Sequence, residues 1–103
     1  MGFLLDLFGG DNLKSALKKG AIVVDVRTGT EYDRGHFPDA FNIPVDRIAL
    51  SIDRLKSANR PIIICCNTGD RSSIAVKQLK SKGVKNVYNG GNWEKLVKLM
   101  KSM

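Results

Sequence analysis

The sequence predicts a single α/β domain with a central parallel sheet of four or five strands and helices on both faces. Three observations carry that prediction. Ala21-Ile22-Val23-Val24 and Ile62-Ile63-Ile64-Cys65 are continuous apolar runs rich in β-branched residues, the pattern of strands buried on both faces. Segments of helical period lie between and after them, and such alternation implies right-handed crossovers and parallel pairing. A chain of 103 residues, 43% of them apolar, suits one domain that buries roughly 60–70% of its unfolded surface.

Asp11 is expected to cap a short helix that turns Leu13, Ala16 and Leu17 to one side, with Gly20 closing it. The first buried strand follows at once. A helical turn is expected from Thr30 to Arg34, then a brief strand from Ala40 to Ile43. Asp46 is placed to cap a broken helical region in which Ile48, Ile52 and Leu55 recur at helical spacing. Pro61 starts the second strong strand. Residues 72–82 read as a helix with Ala75, Val76 and Leu79 inward, Gly83 just past its end and Val84 as the apolar follower. A short strand from Asn86 to Tyr88 leads through Gly90-Gly91 to a last helix, where Trp93, Leu96, Val97 and Met100 form an i, i+3, i+4, i+7 stripe.

Residues 1–10 form an apolar segment expected to dock on the domain of residues 11–103. Met1 to Phe8 lacks the basic start of a secretory leader, and Asp6 interrupts an apolar stretch already too short for one. Gly2 does not begin a myristoylation signal, because Asp6 stands where Ser or Thr is required. No apolar run approaches the roughly 20 residues that span a bilayer, so no membrane partner is expected. Lys and Arg number 17 against 10 Asp and Glu, a net charge of +7 that favours anionic partners. The lysines are spread over polar helix faces without interleaved aromatics, so no dedicated nucleic-acid site is expected. The two cysteines, Cys65 and Cys66, are adjacent. They cannot build a disulfide framework, and a bond between them would be strained. A reducing compartment, the cytoplasm, is the simpler expectation.

Ligands of parallel sheets bind beyond the carboxyl ends of the strands. There stands Cys66-Asn67-Thr68-Gly69-Asp70-Arg71-Ser72. A cysteine leaving a buried strand, a short glycine loop and an immediate helix start would aim backbone N–H groups at the sulfur. Such a cradle favours the thiolate, the reactive form. Arg71 adds a permanent cation and a planar fork suited to an oxyanion. Asp70 opposes a second negative charge unless its side chain faces solvent. Cys65 reads as a small buried residue at a strand end.

The sequence resembles the single-domain rhodaneses, the thiosulfate sulfurtransferase family, over about residues 11 to 101. Three segments carry the likeness in order. They are Asp25-Val26-Arg27 with Glu31-Tyr32, Gly35-His36-Phe37, Ala40, Asn42 and Pro44; the loop Cys66 to Arg71 followed by Ser72; and Val87 through Gly90-Gly91 to Trp93. The resemblance implies that Cys66 is the sulfur-carrying nucleophile and that Asn67, Thr68, Gly69, Asp70, Arg71 and Ser72 form the loop around its persulfide. Asp25, Arg27, Glu31 and His36 become framework, and Trp93 core. It implies a small anionic donor such as thiosulfate, a thiol, protein or cyanide acceptor, and neither cofactor nor metal. His36, the lone histidine, is not expected to act as a base, because amides and charge activate such a cysteine. No strand is evident before Asp11, where the family usually has one, so Met1 to Phe8 are expected to cover that sheet edge.

Two other functions compete. Phosphatases and arsenate reductases of the cysteine-plus-arginine type place five residues between Cys and Arg, a spacing met here only from Cys65. Against that frame, Ile64 stands where those enzymes carry histidine, and no acid-bearing loop is evident. A non-catalytic rhodanese-like binding module would normally lack the cysteine that this chain retains.

Overall fold

The computed structural model describes residues 10–103. The docking expected of the N-terminal apolar segment falls on residues 1–9, outside the described residues. Helix α1 runs Gly10–Lys18 and so already includes Asp11, which was expected as its cap. It buries Leu13 and Ala16, and Gly20 follows at φ +80°.

Strand β1, Ile22–Asp25, lies one residue later than the apolar run suggests at both ends. Asp25 continues the ladder, pairing with Asn42 on one side and Cys65 on the other. A fully buried carboxylate can end a strand because Arg27 satisfies it with hydrogen bonds of 2.6–3.0 Å. Helix α2, Gly29–Asp33, opens with a capping box between Thr28 and Glu31. Strand β2 is shortened to Phe41–Asn42. The broken helical region is a 3₁₀ turn, Val45–Leu50, followed by helix α3, Ile52–Ser57. Pro44 flanks the 3₁₀ turn without a side-chain cap, and Asp46 lies inside the first turn instead of capping it.

Strand β3, Ile62–Cys66, is buried at every residue. Helix α4 spans Asp70–Ser81, two residues earlier than its apolar pattern indicates, because Gly69 at φ +95° starts it. Gly83, at φ +89°, ends the turn after α4, and Val84 is buried behind it. Strand β4 runs Val87–Asn92, well past Tyr88, so Gly90 and Gly91 belong to the strand and not to a connection. Helix α5, Trp93–Lys101, is capped by Asn92, whose side chain accepts a 2.9 Å bond from the Lys95 amide.

Among the described residues the sheet has four strands in the order β2-β1-β3-β4, every pair parallel. The period of two divides the core. Val24, Ile62, Ile64 and Cys66 face Ile48, Leu55, Ala75, Val76 and Leu79. Val23, Ile63 and Cys65 face Leu13, Ala16, Phe37 and Leu96 on the other side. Helices therefore cover both faces, as the doubly apolar strands require. The register slips by one residue between Ile64 and Cys65, leaving Gly90 as the extra residue of a β-bulge. A Cβ at Gly90 would stand 2.6 Å from the Ile63 Cγ2, so only glycine fits this close approach.

Candidate active site

Cys66 ends β3 on the α4 side of the sheet, and α4 begins four residues later. The left-handed conformation of Gly69 folds the intervening loop back over the sulfur. Its amide donates to the Cys66 Sγ at 3.0 Å, and the Ser72 Oγ lies 3.2 Å from the same atom. Burial alone would raise the Cys66 thiol. The Ser72 hydroxyl and the amides of Ser72, Gly69 and Thr68 outweigh that effect and hold its pKa below the ordinary cysteine value.

Cys65 differs in every respect. It points to the opposite face, into the cluster with Ile63 and Leu96, and burial pushes its pKa up to about 12. Both cysteines are free thiols. Adjacent positions in a strand send their sulfurs to opposite faces, which separates one nucleophile candidate from one core residue.

Glu31, expected as framework, reaches the loop itself. Its carboxylate accepts two bonds from the Arg71 guanidinium at 2.7 and 3.0 Å and a third from the Asn67 Nδ2 at 2.9 Å. Thr28 holds the same carboxylate through its amide and hydroxyl, both at 3.1 Å. The Arg71 fork and Thr28 together depress the Glu31 pKa to about 2, and the same fork raises that of Arg71. One carboxylate thus grips Asn67 and Arg71, on either side of Gly69, at once. Asn67, Thr68 and Asp70 are exposed, so Asp70 does turn toward solvent.

Asp25 and Arg27 form a buried ion pair at 2.6 Å. Arg27 also donates to the Gly35 carbonyl at 2.6 Å and lies 4.9 Å from the centre of the Trp93 ring, tying three connections together. Its hydrogen bond to Asp25 raises its pKa against the opposing effect of burial. His36 stacks on Tyr32, with ring centroids 3.8 Å apart, and its Nδ1 lies 3.0 Å from the Tyr32 carbonyl oxygen. The structure brings Glu31 to Cys66's loop and leaves His36 outside it.

Two residues of the site, Asn89 and Asn92, escaped the sequence reading, and a third, Asn42, entered it only as a carrier of the family likeness. Asn89 bridges the loop to β4, accepting from the Gly91 amide at 2.8 Å and donating to the Gly69 carbonyl at 3.2 Å. Asn92 donates to the Asn67 carbonyl at 2.8 Å. Asn42 donates to the carbonyls of Asp25 and Arg27 at 3.1 and 2.9 Å, fixing the turn after β1. For Asn89 and Asn92 the available signal was their place on either side of the Gly90-Gly91 pair, since polar side chains at a parallel strand end need partners. A cleft of about 720 Å³ opens between this edge and the loop, lined by Asn67 to Asp70, Ser73, Asn89 to Asn92 and Lys95. Among the described residues no cluster of His, Cys, Asp and Glu could hold a metal, and no helix is long and apolar enough to cross a membrane.

Comparison with known proteins agrees with this architecture. A tRNA uridine(34) hydroxylase of Buchnera aphidicola subsp. Baizongia pistaciae is 40% identical over 75 residues, covering 68% of this chain and 24% of that protein. Thiosulfate sulfurtransferase GlpE of Pseudomonas fluorescens is 32% identical over 79 residues, covering 77% of this chain and 72% of that one. A rhodanese-like domain protein of Staphylococcus aureus superposes with a TM-score of 0.65 at 34% identity, covering 85% of this chain and 86% of that chain. The chain spans only 15–36% of the length of several curated relatives. The family described as the Rhodanese-like domain matches residues 10–95, so a thiol cradled by amides at the end of β3 stands in a chain that belongs to the rhodanese-like family.

Proposed function

We propose that this chain is a sulfurtransferase that moves sulfane sulfur through a persulfide on Cys66. The observation that supports it most is the Cys66 sulfur itself, set under the Gly69 amide and held below its ordinary pKa in a loop with four residues between Cys66 and Arg71. The Cys66 thiolate attacks the outer sulfur of thiosulfate. A new S–S bond forms, the sulfur–sulfonate bond breaks, and sulfite leaves with the bonding electrons. Cyanide or a thiol then attacks the terminal sulfur and carries it away, returning the thiolate. No cofactor or metal enters this cycle.

Asn67, Thr68, Gly69, Asp70, Arg71 and Ser72 form the receiving loop. Arg71 gives two N–H groups to Glu31, which leaves its remaining donors for a sulfonate. Lys95 supplies a cation on the cleft beside the loop. Cys66 is fully buried, so donor attack requires the loop to yield beside the cleft. Asp25, Arg27 and His36 serve as framework, and Glu31 joins that framework directly to the loop. The small anionic donor is of the thiosulfate type, the acceptor is a thiol, a protein or cyanide, and the work is done in the cytoplasm by the domain of residues 11–103.

Incubation with thiosulfate followed by intact-mass measurement tests the reading. A gain of one sulfur atom, reversed by cyanide, is the expected result. An unchanged mass together with hydrolysis of an aryl phosphate would replace this reading with the phosphatase one.

A further inference from the structure

We propose that Asn89 governs the ionisation of Cys66 by competing with its sulfur for the single proton of the Ser72 hydroxyl. The proposal rests on reading Cys66 as the reactive thiol. Ser72 is fully buried, and its Oγ lies 2.8 Å from the Asn89 Oδ1, 3.2 Å from the Gly69 carbonyl oxygen and 3.2 Å from the Cys66 Sγ. A hydroxyl has one proton to give and cannot serve all three.

The orientation of Asn89 follows from its other partners. The Gly91 amide is an unambiguous donor and lies 2.8 Å from one side-chain atom, which must therefore be the carbonyl oxygen. The Asn89 Nδ2 then donates to the Gly69 carbonyl at 3.2 Å. That carbonyl also accepts the Ser73 amide at 2.9 Å, so it has two donors without Ser72. An amide oxygen cannot donate, so the 2.8 Å contact requires the Ser72 proton to point at Asn89. Ser72 then offers the sulfur only a lone pair, which suits a Cys66 S–H donating into it.

Ionisation reverses this arrangement. When the thiol proton leaves to solvent, the Ser72 hydroxyl turns from Asn89 to the thiolate, and Asn89 loses a hydrogen bond. Asn89 therefore restrains ionisation, and Ser72 favours it once turned. The charged and titratable neighbours are Asp25 and Arg27 at the end of β1, Glu31 on α2, Cys65 on β3, Asp70 and Arg71 on α4, and Lys95 on α5. The hydrogen bonds of Ser72 Oγ run to Cys66, Gly69 and Asn89, with none of those neighbours among them.

The test is the pH profile of Cys66 alkylation by iodoacetamide, with the modified cysteine located by tandem mass spectrometry. Asn89→Ala should move the midpoint to lower pH, so that alkylation below it rises roughly two- to tenfold. Asn89→Asp keeps the acceptor and adds charge, and should move the midpoint up. In a Ser72→Ala background the Asn89→Ala shift should vanish and the Asn89→Asp shift should shrink. An unmoved midpoint would overturn the proposal. So would an Asn89→Ala shift that survives without Ser72, or a rise in rate at every pH, which a loosened loop would produce. If Asn89→Ala fails to fold, Asn89→Asp decides: an upward shift as large in the Ser72→Ala background as with Ser72 present would overturn the proposal. No sulfur donor enters this measurement, so a chain that fails to take sulfur from thiosulfate but shows the shifts would sink the sulfurtransferase reading alone.

Discussion

Cys66 and Cys65 share a peptide bond and almost nothing else. The sulfur of Cys66 meets an amide and a hydroxyl, whereas that of Cys65 meets the side chains of a dry core. Cys66→Ser should therefore abolish sulfur transfer in a thiosulfate–cyanide assay, because a serine hydroxyl is neither ionised near neutral pH nor able to carry sulfane sulfur. Cys65→Ser should keep most of the activity and lower stability by about 1–3 kcal/mol in a thermal melt, through an unpaired buried hydroxyl. Loss of activity in Cys65→Ser with Cys66→Ser active would reverse the assignment. Arg71 allows a second contrast at this scale. Replacing it with Ala should weaken use of thiosulfate about tenfold more than use of an uncharged donor, the lower end for a charge-assisted contact on a partly exposed side chain. Equal losses for both donors would make Arg71 a clamp on the loop through Glu31.

Strand β4 shows how one element shapes the site. Its bulge at Gly90 shifts the ladder so that Asn89 reaches the Gly69 carbonyl while Asn92 reaches that of Asn67. The loop is thus held from the β4 side as well as from Glu31. Gly90→Ala should drive a methyl into Ile63 and the Ile64 carbonyl and cost about 1–3 kcal/mol in urea unfolding. Because the strand must shift to accept it, sulfur transfer should fall further than the stability loss explains; full activity in the folded fraction would show that the bulge serves packing alone. At the start of α4, Gly69 performs the corresponding task. Its positive φ lets the chain turn from strand to helix while its amide faces the sulfur, a conformation that costs other residues about 1–2 kcal/mol.

Across the whole molecule, the Glu31 clamp links α2 to the β3–α4 loop and makes folding sensitive to acid. Its carboxyl titrates near 4.5 when unfolded and near 2 when folded. Its contribution is therefore complete above about pH 5 and disappears as pH falls toward 2. Glu31→Gln should flatten the fall in melting temperature across that window and leave the slope between pH 6 and 8 unaltered. An identical acid profile in the variant would show that the clamp carries no net free energy. The surplus of 17 basic over 10 acidic residues raises the local concentration of small anions around this surface, so activity with thiosulfate should fall as salt increases.

The residue types alone determined the parallel α/β plan, because the doubly apolar runs at β1 and β3 admit few other arrangements. They also picked out the Cys66-to-Ser72 loop, since cysteine, glycine and arginine at a strand-to-helix junction combine three local properties that need no tertiary contact to interpret. Apolar patterning could not show that Asp25 ends a strand, because its burial depends on a partner two residues away. Nor could it extend β4 through two glycines: Gly90 lies in the bulge under the approach of Ile63 and Leu96, and Gly91 resumes the ladder opposite Cys65. The roles of Glu31 and Asn89 were decided only by tertiary structure. Each is separated in sequence from the loop it holds, and a hydrogen bond across such a separation exists only once the packed sheet has brought its strand ends together.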